Sequence, residues 1–97
     1  MDDMIIEAIQ NKKMIKFTYH GLYRIAEPHI FGYCKGVKQL LVYQIGGQSQ
    51  SGQLPDWRRL LVHEISQLIM LDESFPGHRP YPSGEHSPWD SYIAVVR

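Results

Sequence analysis

The chain has 97 residues, 43% of them hydrophobic, and its ten Lys and Arg balance its ten Asp and Glu. This composition fits one globular domain, excludes a wholly disordered chain, and gives no overall sign of a nucleic-acid-binding protein. The sequence lacks the roughly 20-residue apolar run of a membrane helix, its start does not resemble a signal peptide, and its single cysteine, Cys34, excludes a disulfide framework. We therefore expect a cytoplasmic protein with no membrane partner.

The N-terminal residues predict a short helix over residues 3–12. Ile5, Ala8 and Ile9 have the spacing of one apolar helix face, and the aspartates at the start favour the positive end of the helix dipole. A helix of about ten residues is not stable alone. Its apolar face must therefore pack against the rest of the domain.

Five short strands are expected after this helix. The first alternates, with Ile15, Phe17 and Tyr19 on one face. The second is expected to end at Pro28, which cannot donate to a central ladder, although continuation past a kink to residue 34 stays open. The predicted ranges are residues 14–19, 22–27, 39–45, 57–62 and 67–72.

A helix followed by five strands without βαβ alternation predicts a mainly β domain, a small antiparallel barrel within residues 1–75. Residues 63–66, between the last two strands, fit either one helical turn or a tight bend. The predicted core residues are Ile15, Phe17, Ile25, Leu40, Val42, Leu60, Val62, Leu68 and Met70.

The last part of the chain, residues 76–97, is predicted to be a strap with a docked C-terminal segment. Residues 76–88 hold four of the six prolines, which favours extended chain. The spacing of apolar residues in 89–97 favours a short helix, although an edge strand is the alternative. The docking patch belongs either to the same chain or to a second copy, which would give a homodimer. The residues expected to dock are Trp89, Tyr92, Ile93 and Val96.

The order of motifs resembles that of the WYL-domain family over roughly residues 5–81. The run EAIQNKKMIKFTYHGLYRIAEPHIFGY has the family's opening helix, its I-x-F-x-Y strand and its R-x-x-E-P segment. The places of the family's later strands are occupied by LLVYQIGGQSQSG and DWRRLLVHEISQLIMLDESF. Small stand-alone members with a loop of the GGxSxSG kind and a Pro-rich tail are the most similar.

The resemblance implies a five-stranded Sm/SH3-like barrel. It also implies a role in sensing a small or nucleic-acid-like ligand, as in bacterial transcriptional regulators and defence systems. Two segments depart from the family pattern. Lys38-Gln39-Leu40 stands where the family name requires Trp-Tyr-Leu, and Glu64 stands before Ile65 where many members have arginine.

Arg24 is the main candidate for a ligand-binding residue. It lies in the middle of an apolar strand, where a guanidinium group needs an anionic partner. From the residues alone, Glu27 and a bidentate phosphate or carboxylate ligand are equal alternatives, and the resemblance favours the ligand. The hypothesis is an anion pocket formed by Arg24, Tyr19, Tyr43 and Arg58.

Trp57 stands next to two arginines, after a polar loop. Residues 12–59 hold eight of the ten basic residues and only two acidic ones, so this region has a basic character. A tryptophan beside arginines can stack a base, and we include Trp57 among the ligand-binding candidates. The more frequent role is a core residue at the rim of a barrel, which we prefer.

Other chemistries are not indicated. Gly47 and Gly52 have P-loop spacing, but Gln53-Leu54 follow instead of Lys-Ser/Thr. His63-Glu64 lacks the second histidine of H-E-x-x-H, because residue 67 is glutamine. We therefore expect no catalytic residue, no metal and no cofactor.

The sequence thus predicts a non-enzymatic, ligand-sensing module that binds an anion such as a nucleotide or a short nucleic acid. The alternative is an interaction module that acts by self-association or by docking on a larger regulator.

Overall fold

One helix is followed by six strands in the computed structural model, which describes residues 1–50, 52–80 and 88–97. The predicted class, mainly β with a short N-terminal helix, is confirmed. Residues 81–87 of the predicted strap lie outside the described residues. The elements are α1 (Asp2–Gln10), β1 (Lys13–Tyr19), β2 (Leu22–Cys34), β3 (Val37–Gly47), β4 (Asp56–Leu61), a three-residue 3₁₀ turn (Val62–Glu64), β5 (Ile65–Ser74) and β6 (Ser91–Val95).

Helix α1 buries the face predicted from its spacing. Ile5, Ala8 and Ile9 are at most 1% exposed and belong to the main core. Asp2 lies in the first helical turn, and its carboxylate accepts a hydrogen bond from Lys38 Nζ at 2.5 Å. The helix contacts β1, β2, β5 and β6, so it covers one side of the sheet.

Two hairpins connect the first three strands. His20-Gly21 and Lys35-Gly36 both have positive φ angles, as the two central residues of a tight, twisted hairpin turn require. Each pair thus lets the chain reverse direction within two residues.

The sheet is antiparallel, with the order β4-β3-β2-β1-β5, and β6 pairs with β2. It has six strands rather than the five expected, because the C-terminal segment supplies a strand. Among the described residues no pairing joins β4 to β5, so the sheet is not closed. Only the 3₁₀ turn separates these two edge strands in the chain, so the sheet must curl to bring them together.

Strand β2 is longer than expected because it passes through Pro28. A bulge between Pro28 and Ile30 interrupts its ladder with β3, and the strand continues to Cys34. One edge of β2 pairs with β3 over this whole length. The other edge is shared, since β1 pairs with its first half and β6 with its second half.

The main core lies between the curled sheet and α1. Three of the nine residues predicted for it, Ile25, Leu68 and Met70, are only partly buried and pack against it. The other six are buried as predicted: Ile15, Phe17, Leu40, Val42, Leu60 and Val62.

The C-terminal segment docks on its own chain as strand β6, and the expected helix is wrong. Val96 is 4% exposed and Trp89 is half-buried, as predicted, but Tyr92 and Ile93 are exposed at 60% and 39%. Docking depends on backbone pairing with β2, extended by a 2.8 Å bond from Val96 N to the carbonyl oxygen of His29. Within the described part of the chain, no helix is long and apolar enough to span a membrane.

Candidate ligand-binding site

Strand pairing places Arg24 and Arg58 on the core side of the sheet. Arg24 pairs with Phe17 across β1 and β2, and Arg58 pairs with Val42 across β3 and β4. Paired residues point to the same face, and both Phe17 and Val42 are buried in the main core. Tyr19, two positions after Phe17 on β1, shares this face. The structure thus brings Arg24, Arg58 and Tyr19 together.

The other two predicted residues lie on the opposite face. Tyr43 follows Val42 in β3, and successive residues of a strand point to opposite sides. Trp57 pairs with Tyr43, and their ring centroids are 4.9 Å apart. Trp57 also meets the ring of His29 edge-on at 4.8 Å, so it packs among other rings. The predicted residue set is therefore divided between two surfaces.

Arg24 is 5% exposed and has only neutral partners among the described residues. Its Nη1 donates to Gln44 Oε1 at 3.2 Å, and its Nη2 donates to the carbonyl oxygen of Tyr19 at 3.3 Å. The guanidinium carbon lies 5.4 Å from the centroid of the Tyr19 ring. The Nε group is buried and has no acceptor in the part of the chain that the structure describes.

Arg58 lies at the more open side of this cluster. Its Nη1 donates to Asp56 Oδ2 at 2.6 Å, which lowers the pKa of that carboxyl group, and its Nη2 donates to Ser49 Oγ at 2.8 Å. Burial lowers the pKa of Arg24, and the positive charge of Arg58 lowers it further, while Tyr19 opposes the shift. The positive charge of Arg58 thus acts unfavourably on that of Arg24.

Gln44 is a member of this cluster that sequence analysis missed. Its side chain is fully buried, and its Nε2 donates to the carbonyl oxygens of Gly46 and Gln48 at 3.0 and 2.8 Å. Its Oε1 accepts from Arg24. Gln44 therefore fixes both the guanidinium group and the start of the loop after β3. The available signal was an amide residue, Gln44, directly after the apolar run of residues 40–43.

Glu27, the internal partner considered for Arg24, is paired elsewhere. Its carboxylate is 3% exposed and accepts two bonds from Arg79, from Nε to Oε1 at 2.5 Å and from Nη2 to Oε2 at 2.8 Å. The Arg79 guanidinium also lies over the Tyr43 ring, 4.9 Å from its centroid. Sequence analysis did not single out Arg79, because it lies 52 positions from Glu27 in a Pro-rich region.

His29 is fully buried beside this second cluster. Its Nδ1 is 2.9 Å from the carbonyl oxygen of Glu27, and its ring stacks on that of Phe75 at 5.6 Å. Burial is the main reason that the pKa of His29 is below its usual value. The ring is therefore neutral at pH 7, since the usual value is about 6.5.

Cavities and metal-ligating groups do not coincide with Arg24. Three surface cavities of about 520, 490 and 430 Å³ are lined by other residues, the largest between α1 and β6. Among the described residues, no group of three or more His, Cys, Asp or Glu is arranged to hold a metal. Because Arg24 is buried and its Nε has no accessible surface to speak of, a ligand reaches this group only if neighbouring side chains move.

Comparison with models of protein families, with curated proteins and with solved structures finds no match. The resemblance to the WYL-domain family thus depends on the motifs described above and stays a prediction.

Proposed function

We propose that this protein is a non-enzymatic ligand-sensing module that binds an anion, such as a nucleotide or a short nucleic acid, through Arg24. The observation that carries the proposal is the state of this residue: Arg24 is 5% exposed, its Nε has no acceptor among the described residues, and its described partners are neutral. A buried charge without a counter-charge is costly and persists where it has a use.

A phosphate group suits this cluster chemically. An oxygen that accepts from Arg24 Nε would satisfy the orphan donor, and its charge would end the repulsion between Arg24 and Arg58. To bind the same group, Arg58 would exchange the Ser49 hydroxyl for a phosphate oxygen. The Tyr19 ring, already beside Arg24, would form one wall of the site.

The proposal includes the finer fold assignment, an Sm/SH3-like barrel of the WYL kind. Two features support it. The curled sheet brings Leu61 of β4 against Tyr19 of β1, and its two edge strands are joined by three residues. Arg24, at the place of the arginine in R-x-x-E-P, is the residue around which the cluster forms.

Calorimetry with inorganic phosphate, nucleoside monophosphates and a short single-stranded oligonucleotide tests the proposal. We expect Arg24→Lys to weaken binding at least tenfold, because lysine keeps the charge but loses the planar fork of donors. Arg59→Lys is the matched control, since Arg59 lies on the other face over the Trp89 ring and should leave binding unchanged. The proposal fails if Arg24→Ala binds every tested anion as well as wild type does.

A second candidate function, an interaction module, has one observation in its favour. Strand β6 presents Tyr92 and Val95 at 60% and 47% exposure, which is high for large apolar side chains on a sheet. Self-association through this strand would give the homodimer expected from the C-terminal segment. Light scattering after size exclusion tests it, and Tyr92→Ser should then shift the mass to that of a monomer.

A further inference from the structure

The face of the sheet opposite Arg24 carries a buried carboxylate in one row with two aromatic residues. Glu27 pairs with Tyr43, and Tyr43 pairs with Trp57, so the three side chains form a row across β2, β3 and β4. The Glu27 side chain is only 4% exposed. A carboxylate in such surroundings requires a cation, because its charge has lost most of its water.

Arg79 supplies that cation, and it comes from outside the sheet. It lies after β5, where the described residues 75–80 form no helix or strand, and its side chain is 36% exposed. Its guanidinium group makes two bonds with Glu27 and lies over the Tyr43 ring. The carboxylate and the rings are thus parts of the rigid sheet, whereas the cation is a partly exposed side chain from a connecting segment.

We propose that Glu27, Tyr43 and Trp57 form a binding site for a guanidinium group of another molecule, and that Arg79 occupies this site within the chain. The carboxylate gives bidentate recognition and the Tyr43 ring gives a cation-π contact, a combination that suits guanidinium better than ammonium. The site is separate from the anion cluster, because it lies on the other face of the same three strands.

Because Arg79 occupies the site, it lowers the apparent affinity of the site for a guanidinium ligand. A group on the same chain competes at a high effective concentration, because its binding is an intramolecular event. A guanidinium ligand must displace it, so wild type should bind more weakly than a variant without the Arg79 side chain. A purely structural ion pair predicts no binding in either protein.

The experiment titrates ethylguanidinium, up to tens of millimolar, into wild type, Arg79→Ala and Arg79→Gln, with Trp57 resonances and melting temperature as readouts. We expect both variants to bind ethylguanidinium at least tenfold more tightly than wild type does. Bound ethylguanidinium should also raise the melting temperature of both variants. Adding Glu27→Gln to either variant should abolish the response, and ethylammonium should bind less tightly. The proposal is overturned if the folded single variants do not respond to ethylguanidinium.

A measurement on wild type covers the case in which the variants do not fold. The Nε–H resonance of Arg79 should move to the position of a free arginine when the protein is saturated with N-acetylarginine amide. If it keeps its position, the proposal is wrong. Arginine-containing peptides that bind more tightly than N-acetylarginine amide would identify a protein as the ligand. Equal binding of the two would identify a small guanidinium compound. Either result supports the site.

Discussion

The backbone amide of Leu61 donates a 3.1 Å hydrogen bond to the hydroxyl of Tyr19, although their strands are not neighbours in the sheet. Leu61 is the last residue of β4, and Tyr19 is the last residue of β1. In a closed barrel, a backbone carbonyl oxygen of a paired strand would accept such a bond from β4. Here the hydroxyl of Tyr19 accepts it. It also forms one side of the Arg24 cluster, so one residue takes part both in the contact between β1 and β4 and in the candidate site.

Tyr19→Phe removes this bond and keeps the ring. We expect the free energy of unfolding to fall by about 1–3 kcal/mol, because the Leu61 amide loses its acceptor in a partly buried place. Urea unfolding measures the change. Tyr92→Phe is the control, since Tyr92 is 60% exposed and should change stability by less than about 0.5 kcal/mol. An equal effect in both variants would show that the hydroxyl of Tyr19 has no special role.

Arg24→Met should separate binding from stability. We expect its free energy of unfolding to stay within about 1 kcal/mol of wild type or to rise, because an uncompensated buried charge is removed. Anion binding should be lost. Arg79→Met is the comparison: it leaves the Glu27 carboxylate buried without its cation, so it should destabilise the protein by at least about 1 kcal/mol. A large loss of stability in Arg24→Met would show that Arg24 is a structural residue.

Gly32→Ala should displace the C-terminal strand. A Cβ at Gly32 would overlap the Ser91 carbonyl oxygen and lie 3.2 Å from the Trp89 ring. We expect a loss of about 1–3 kcal/mol and faster hydrogen exchange in β6. Gly46→Ala is the matched control, because its Cβ would meet Ile25 at an ordinary 3.6 Å. Unchanged exchange in β6 of Gly32→Ala would contradict the docking described here.

His29 should make the protein less stable in mild acid. Its folded-state pKa is lowered by burial, whereas the unfolded chain has the usual value of about 6.5. Above that value both states are neutral and stability is at its full level. As the pH falls below about 6.5, the unfolded chain takes up a proton that the folded chain excludes, so the free energy of unfolding falls.

Urea unfolding at a series of pH values between 5 and 8 tests this expectation. His29→Asn is the control, because asparagine keeps a donor near the Glu27 carbonyl oxygen but does not titrate in this range. The variant should lose stability at every pH and should show a flatter dependence below pH 6.5. The same slope in both proteins would assign the acid sensitivity to another group.

Local patterns predicted most of the fold, and the deviations have identifiable causes. The helix face and the alternation of β1 are short-range signals, and both are confirmed. Strand β2 continues through Pro28 because a bulge interrupts the ladder there. The apolar spacing of the C-terminal segment favoured a helix over the alternative edge strand. The segment is a strand whose pairing skips Ile93, and an extra residue of this kind breaks the two-residue alternation that would have indicated it.

Only those parts of the candidate site were predictable in which one unusual residue stands in a strand. A mid-strand arginine is unusual, and Arg24 is indeed buried at the centre of a polar cluster. The sequence did not show which of the predicted site residues share a face of the sheet. Tyr43 pairs with Trp57 rather than with Arg58, and this pairing depends on the register of β3 and β4. The Glu27–Arg79 pair depends on chain folding over 52 positions, which no local pattern contains.

The shared edge of β2 has a consequence for biosynthesis. Ile30 pairs with Val95, so β3, β4 and β5 are all synthesised before the second half of β2 receives its last neighbour. Until then, the growing chain exposes the unpaired backbone of Phe31 and Gly32 on that edge, a template for pairing with other nascent chains. A chain that ends before Ser91 would therefore present a sheet with one open edge, and we expect chaperones that recognise extended, apolar segments to bind there.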